Sequence, residues 1–84
     1  MKMKVYITAA KWFDKINGNT YHNAKITLSD GTSFYSGFQY GYGSQYRESA
    51  KQKLKAVYGV NVDLDIIGET EFYTKKSIVK NSLF

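Results

Sequence analysis

From Met3 to Ala10 the chain alternates without a break. Met3, Val5, Ile7 and Ala9 fall on one side, Lys4, Tyr6 and Thr8 on the other. That is the period of a strand with one buried face, and no helix fits it. Lys11-Trp12-Phe13 can extend the run. Asp14 to Asn19 then reads as a turn, because Asn17-Gly18-Asn19 tolerates positive φ. A second alternating strand covers Thr20 to Leu28, with Ala24, Ile26 and Leu28 on one face.

Ser29-Asp30-Gly31 is a hairpin signal, and the side-chain pattern selects its length. A two-residue Asp-Gly loop sets Ile26 opposite Tyr35 and mixes polar with apolar positions. A three-residue loop sets Leu28 opposite Thr32 and Ile26 opposite Phe34, with Gly31 at the left-handed position. The third strand then runs from Thr32 to Tyr40. It directs Phe34 and Phe38 one way and Tyr35 and Gln39 the other. Gly41-Tyr42-Gly43-Ser44 ends it.

The period changes after Ser44. Tyr46, Ala50, Leu54 and Val57 fall on one helical stripe, predicting a helix over Gln45 to Tyr58 with Ser44 as N-cap and Gly59 as left-handed C-cap. Arg47, Lys51 and Lys55 form a basic stripe opposite. Val60, Val62, Leu64 and Ile66 alternate again as a strand, which can continue past a bulge at Gly68 to Thr74. Lys75 to Phe84 fits either a last strand or a short docked helix. The expectation is an α+β fold: an antiparallel sheet in β-β-β-α-β order, with one amphipathic helix packed on one face.

At 84 residues, this reads as a single domain, residues 1–84. A fold of this size buries only about 60–65% of its unfolded surface. Rings bury the most area per side chain, so eight tyrosines, five phenylalanines and one tryptophan can supply the core with some left over. There is no cysteine, which removes disulfides, thiolate metal sites and a thiol nucleophile. A small secreted domain normally carries disulfides, so the expected compartment is a reducing cytoplasm. Met1-Lys2-Met3-Lys4-Val5 leads into no long apolar run, arguing against a signal peptide or a membrane partner. The net charge of +5 favours acidic partners, although a charge this size also serves solubility.

Catalysis is not expected. His22 is the only histidine, and Asp63/Asp65 and Glu69/Glu71 have the spacing of polar strand faces. No metal site or cofactor is expected either. The unusual stretch is Gln39 to Arg47, where rings, glycines and a helix start coincide. Backbone amides there can hold an anion, and the tyrosines can stack on bases. Tyr40, Tyr42, Arg47, Lys51 and Lys55 are the candidate partner-binding residues, tyrosine and arginine being enriched in binding hot spots. Asn19, Tyr21 and His22 form a second candidate polar contact set.

Together, Phe13 to His22 (FDKINGNTYH) and Phe38 to Tyr46 (FQYGYGSQY) resemble a recurring pattern in small, mostly uncharacterised bacteriophage proteins. The resemblance spans roughly the first half of the chain and the helix start. It implies a phage-type protein in the host cytoplasm that inhibits or modulates a host protein or nucleoprotein complex, for instance an anti-CRISPR. Many such inhibitors are acidic mimics of DNA; this basic chain departs from that pattern. Direct nucleic-acid binding through the tyrosines and the basic helix is the alternative, and a virion structural or assembly role is a third.

Overall fold

The computed structural model describes all 84 residues, Met1 to Phe84. Five strands and two helices follow in the order β1 (Lys2–Asp14), β2 (Asn19–Leu28), β3 (Ser33–Tyr35), β4 (Gln39–Tyr40), α1 (Gln45–Tyr58), β5 (Asp63–Tyr73) and α2 (Lys76–Lys80). All strands belong to one sheet, ordered β3-β2-β1-β5, with β4 pairing the far end of β2. The chain is thus α+β, as its periodicity predicts.

The sheet is mixed, which corrects the antiparallel expectation. β5 runs parallel to β1. The cause is α1: a 14-residue helix is about 21 Å long and carries the chain back along the sheet. The strand after it therefore runs in the same direction as β4, and hence as β1.

The inner face, beneath α1, carries Val5, Ile7, Ala9, Ala24, Ile26 and Leu28. Tyr46, Ala50 and Leu54 close over it, and Val62 seals the end. Val57, expected on the same stripe, is exposed, and the neighbouring Tyr58 packs edge-on against Phe34 instead. Val60 is likewise exposed, because β5 begins only at Asp63. Gly59 is the left-handed C-cap, its N–H donating to the Lys55 carbonyl. Ser44 holds the N-cap position, but its side chain makes no capping bond.

The Ser-Asp-Gly hairpin takes the register the sequence selects: Ile26 opposes Phe34, the Leu28 N–H donates to the Thr32 carbonyl, and Gly31 has φ +91°. The predicted third strand, however, is broken in two. Between the pairs Lys25–Tyr35 and His22–Gln39, two residues of β2 face three of the partner. This inserted residue reverses the faces. Phe34 packs on the inner core, while Phe38 stacks on Tyr21 on the outer face; the two do not point the same way. The Ser36 and Asn23 side chains repair the ladder, accepting from the N–H groups of Ala24 and Gly37.

β5 makes the same move. Val5 pairs with Ile66 and Tyr6 with Gly68, so Ile67 is the inserted residue. Before it, Leu64 and Ile66 face inward; after it, Glu69, Glu71 and Tyr73 do. Gly68 lies under the Tyr6 ring, where a Cβ would come within 2.5 Å of Tyr6 Cδ1. The tail resolves as helix. Val79 is buried, Asn23 Nδ2 donates to the Val79 carbonyl and to Ser82 Oγ, and Phe84 packs edge-on against Tyr35 and Phe72. α2 and this tail thereby cover part of the outer face.

Candidate functional site

The two unusual stretches of sequence meet in space. Asn19–His22 opens β2, and Gln39–Tyr46 runs from β4 into α1. His22 stands opposite Gln39, and Tyr21 opposite Tyr40. Beneath them the inner face turns polar, because Lys11 continues the Val5-Ile7-Ala9 side of β1 and pairs with His22. Both are buried, Lys11 2% and His22 1% exposed. His22 was expected in an exposed contact set, and this placement corrects that expectation. Its alternation partner is Ala24, so the inward period carries it under the helix.

Two buried basic groups need acceptors. The glycine loop supplies them. Lys11 Nζ donates to the Gly43 carbonyl at 2.8 Å and lies 3.3 Å from Glu71 Oε1, over the Tyr46 ring. His22 Nδ1 lies 3.0 Å from the Gly41 carbonyl, and Nε2 lies 2.7 Å from Ser49 Oγ. A carbonyl only accepts, so Nδ1 carries the proton and Nε2 accepts from Ser49. Gly41 adopts φ +152°, and a Cβ there would meet Gln45 Cγ at 2.5 Å and His22 Cε1 at 3.1 Å. Only glycine lets this carbonyl approach the imidazole so closely.

The acidic half of the network comes from the reversed part of β5. Arg47 grips Glu69 with two bonds of 2.6 Å, Nε to Oε2 and Nη2 to Oε1. This pairing raises the guanidinium pKa and lowers that of the Glu69 carboxyl. The Glu71 carboxyl is held low by the Tyr46 hydroxyl and then by Lys11. Burial, followed by the two carboxylates, pushes the Tyr46 phenol up. Burial lowers the His22 pKa, and neighbouring Lys11 adds to the effect, so the imidazole is neutral.

A hydroxyl 2.7 Å from a neutral imidazole is the local geometry of a serine nucleophile and its base. Here no cleft opens on it. None of the three surface clefts is lined by His22 or Ser49. Its evident work is to tie α1 to β2. No three His, Asp or Glu side chains converge to hold a metal ion.

Around this network the surface is aromatic. Trp12 stacks on Tyr21 with ring centres 5.7 Å apart, and Tyr21 on Phe38 at 4.9 Å. Tyr40 meets Tyr21 edge-on at 5.6 Å. Lys76 Nζ sits 5.2 Å above the Trp12 ring. Tyr40 is 62% and Tyr42 76% exposed; Phe13 and Tyr73 are exposed beside them, and Ile16 at the hairpin tip is 94% exposed. Tyr40 to Gln45 line an open cleft of about 600 Å³.

The candidate binding residues therefore divide. Tyr40 and Tyr42 lie at the aromatic end, and Tyr21 is half-buried in the stack. Arg47 is committed to Glu69. Lys51 and Lys55 line a different open cleft of about 760 Å³, with Glu48, Gln52 and Asn61, towards the C-terminal half of α1. Sequence reasoning missed Lys11, Tyr73 and the pairing of Glu69 and Glu71 with α1. The signal for Lys11 was available, since it continues the inward period; that for Glu69 and Glu71 was hidden by the insertion at Ile67. No helix is long and apolar enough to cross a membrane. No family model, curated protein or solved structure matches the chain.

Proposed function

We propose that this is a non-catalytic binding protein that acts by docking its aromatic end onto a partner protein or nucleoprotein, as a phage-encoded inhibitor of a host machine would. The observation that carries the reading is the exposure of Tyr40 and Tyr42 on the glycine loop, at the end of the sheet where Phe13 and Tyr73 are exposed on the inner face and Ile16 at the hairpin tip. Exposed apolar groups gathered in this way mark interaction surfaces. The Tyr-Gly-Tyr-Gly-Ser loop adds anchors that lose little rotamer freedom, as tyrosines do in binding loops. A polar network buried behind the loop fixes its carbonyls, so the tyrosines are presented on a rigid base.

Affinity capture of the tagged protein from a bacterial host, with and without nuclease, tests this. A single stoichiometric protein that survives nuclease and is lost on Tyr42→Ala supports the reading. Capture unchanged by both Tyr40→Ala and Tyr42→Ala removes this end as the binding surface. Stable self-association with no captured partner points to an assembly role.

A further inference from the structure

We infer that the outer face of the sheet at the aromatic end binds a single strand of nucleic acid, an inference that rests on this end being the binding surface. Of the twelve basic residues, Arg47 and Lys11 are engaged by Glu69 and Glu71, and Lys2 and Lys4 stand in register beside Asp63 and Asp65. Of the remaining lysines, Lys76 lies over the Trp12 ring, and four others belong to segments on this side or end of the sheet. Lys15 is in the hairpin turn, and Lys25 shares the outer face of β2 with Tyr21. Lys75, Lys76 and Lys80 belong to the α2 segment that lies on this face.

The opposing acid is Asp14, and its carboxylate is already occupied. Oδ1 accepts from the N–H groups of Ile16 and Asn17, and Oδ2 accepts from Asn17 Nδ2. The Asn17 side chain above all, and Lys76 in smaller part, hold Asp14 ionised. One carboxylate thus stands against five lysines of these segments, a net basic balance. On the inner side of the same end, Lys11 and Arg47 are matched by carboxylates, so the two faces differ in kind.

Rings interleaved with lysines on an exposed sheet face are the arrangement that holds single strands: bases stack on the rings while cations follow the phosphates. The stack is closed at Trp12 by Lys76, so Tyr40, exposed at the opposite side of Tyr21, is the ring open to a base. A duplex buries its base faces and offers only the phosphate contribution, so the face should discriminate between the two forms.

The test is fluorescence anisotropy with a fluorescein-labelled 20-nucleotide oligo-dT and a duplex of equal length, from 20 to 200 mM salt. The wild-type chain should bind the single strand more tightly than the duplex. Tyr40→Leu, which keeps apolar bulk without a ring, should weaken single-strand binding about tenfold. Lys75→Ala/Lys76→Ala should lower the slope of log affinity against log salt by about 1.4, two phosphate contacts on a single strand. Lys51→Ala/Lys55→Ala, on the other cleft, should change neither. Far-UV circular dichroism confirms that each variant is folded. Three results overturn the inference: no binding at 20 mM salt, equal loss in the Lys51/Lys55 variant, or duplex bound as tightly with Tyr40→Leu silent. If those results coincide with protein capture that still depends on Tyr42, the docking reading stands and only the nucleic-acid assignment fails.

Discussion

The two halves of the face beneath α1 are built on opposite principles. Towards the C-terminal end of the helix, Val5, Ile7, Ile26, Leu28, Leu54 and Val62 interdigitate with no polar side chain among them. Towards its N-terminal end, the same strand positions carry Lys11 and His22, and the reversed edge strand brings Glu69 and Glu71 against Tyr46 and Arg47. The aliphatic half needs only shape. The polar half needs directed acceptors, and backbone carbonyls of the Gly41–Gly43 loop provide two of them. The glycine loop and the buried Lys11 and His22 side chains thus specify one another. The aliphatic half contributes stability, and the polar half fixes the position of the loop that carries the exposed tyrosines.

The sharpest way to break the comparison is to remove matter from the aliphatic half. Leu54 is fully buried, so Leu54→Ala should cost about 2–5 kcal/mol in denaturant unfolding, the transfer loss plus the cavity left behind. Because the two halves share one helix, unfolding should remain a single transition. Two transitions would show that the polar half holds together by itself.

The next effect belongs to Lys11. Lys11→Ala removes a buried aliphatic stem and a charged bond to the Gly43 carbonyl, and should cost about 2–3 kcal/mol. Lys11→Met keeps the stem, and should recover a good part of that loss while leaving the carbonyl without its donor. The comparison then becomes sharper: in the Met variant, hydrogen exchange at Gly41 and Gln45, whose amides donate to the Thr20 and Tyr42 carbonyls, should rise more than exchange in the Val5–Ile7 ladder. Uniform change in both places would mean that the ammonium has no particular hold on the loop. Gly41→Ala attacks the same junction from the other side. A Cβ 2.5 Å from Gln45 Cγ, on a backbone that disfavours side chains, should cost about 1–3 kcal/mol.

The aliphatic half is also the part that was legible in sequence. Period-two runs located β1, β2 and the Ser-Asp-Gly register, and Tyr46, Ala50 and Leu54 located the buried stripe of α1. What escaped detection traces to single residues. One extra residue between Tyr35 and Gln39, which the pattern did not signal, and another at Ile67, next to the bulge expected at Gly68, reverse the faces of both strands that flank the central pair. An insertion leaves composition and propensity almost unchanged, yet moves every later side chain to the other face. Glu69 and Glu71 therefore read as a solvated pair until the bulge is placed, and Arg47 as a free cation until Glu69 is found beneath it. The parallel course of β5 was hidden for a different reason, since it depends on where the chain re-enters the sheet rather than on any local pattern. Tyr40 and Tyr42 were recognisable because rings beside paired glycines have little structural use in a strand.

The smallest effect separates the polar half by pH. Burial holds the folded-state pKa of His22 below its ordinary 6.5, so the folded chain binds fewer protons there than the unfolded chain. Its contribution is complete above about pH 6.5 and is lost as pH falls through the lowered value, with a slope of at most about 1.4 kcal/mol per unit. Glu69 and Glu71 are also lowered, from 4.5, so their contribution is lost only as pH falls below that. Urea unfolding between pH 8 and 2 should therefore decline in two stages, and His22→Gln should flatten the upper one alone. Protonation at Nε2 need not break the bond to Ser49, because the hydroxyl can turn and accept. The upper stage thus reports mainly the cost of charging a buried imidazole, to which Lys11 adds, rather than the loss of a contact. An upper stage that survives His22→Gln would mean that the imidazole is not the group that titrates.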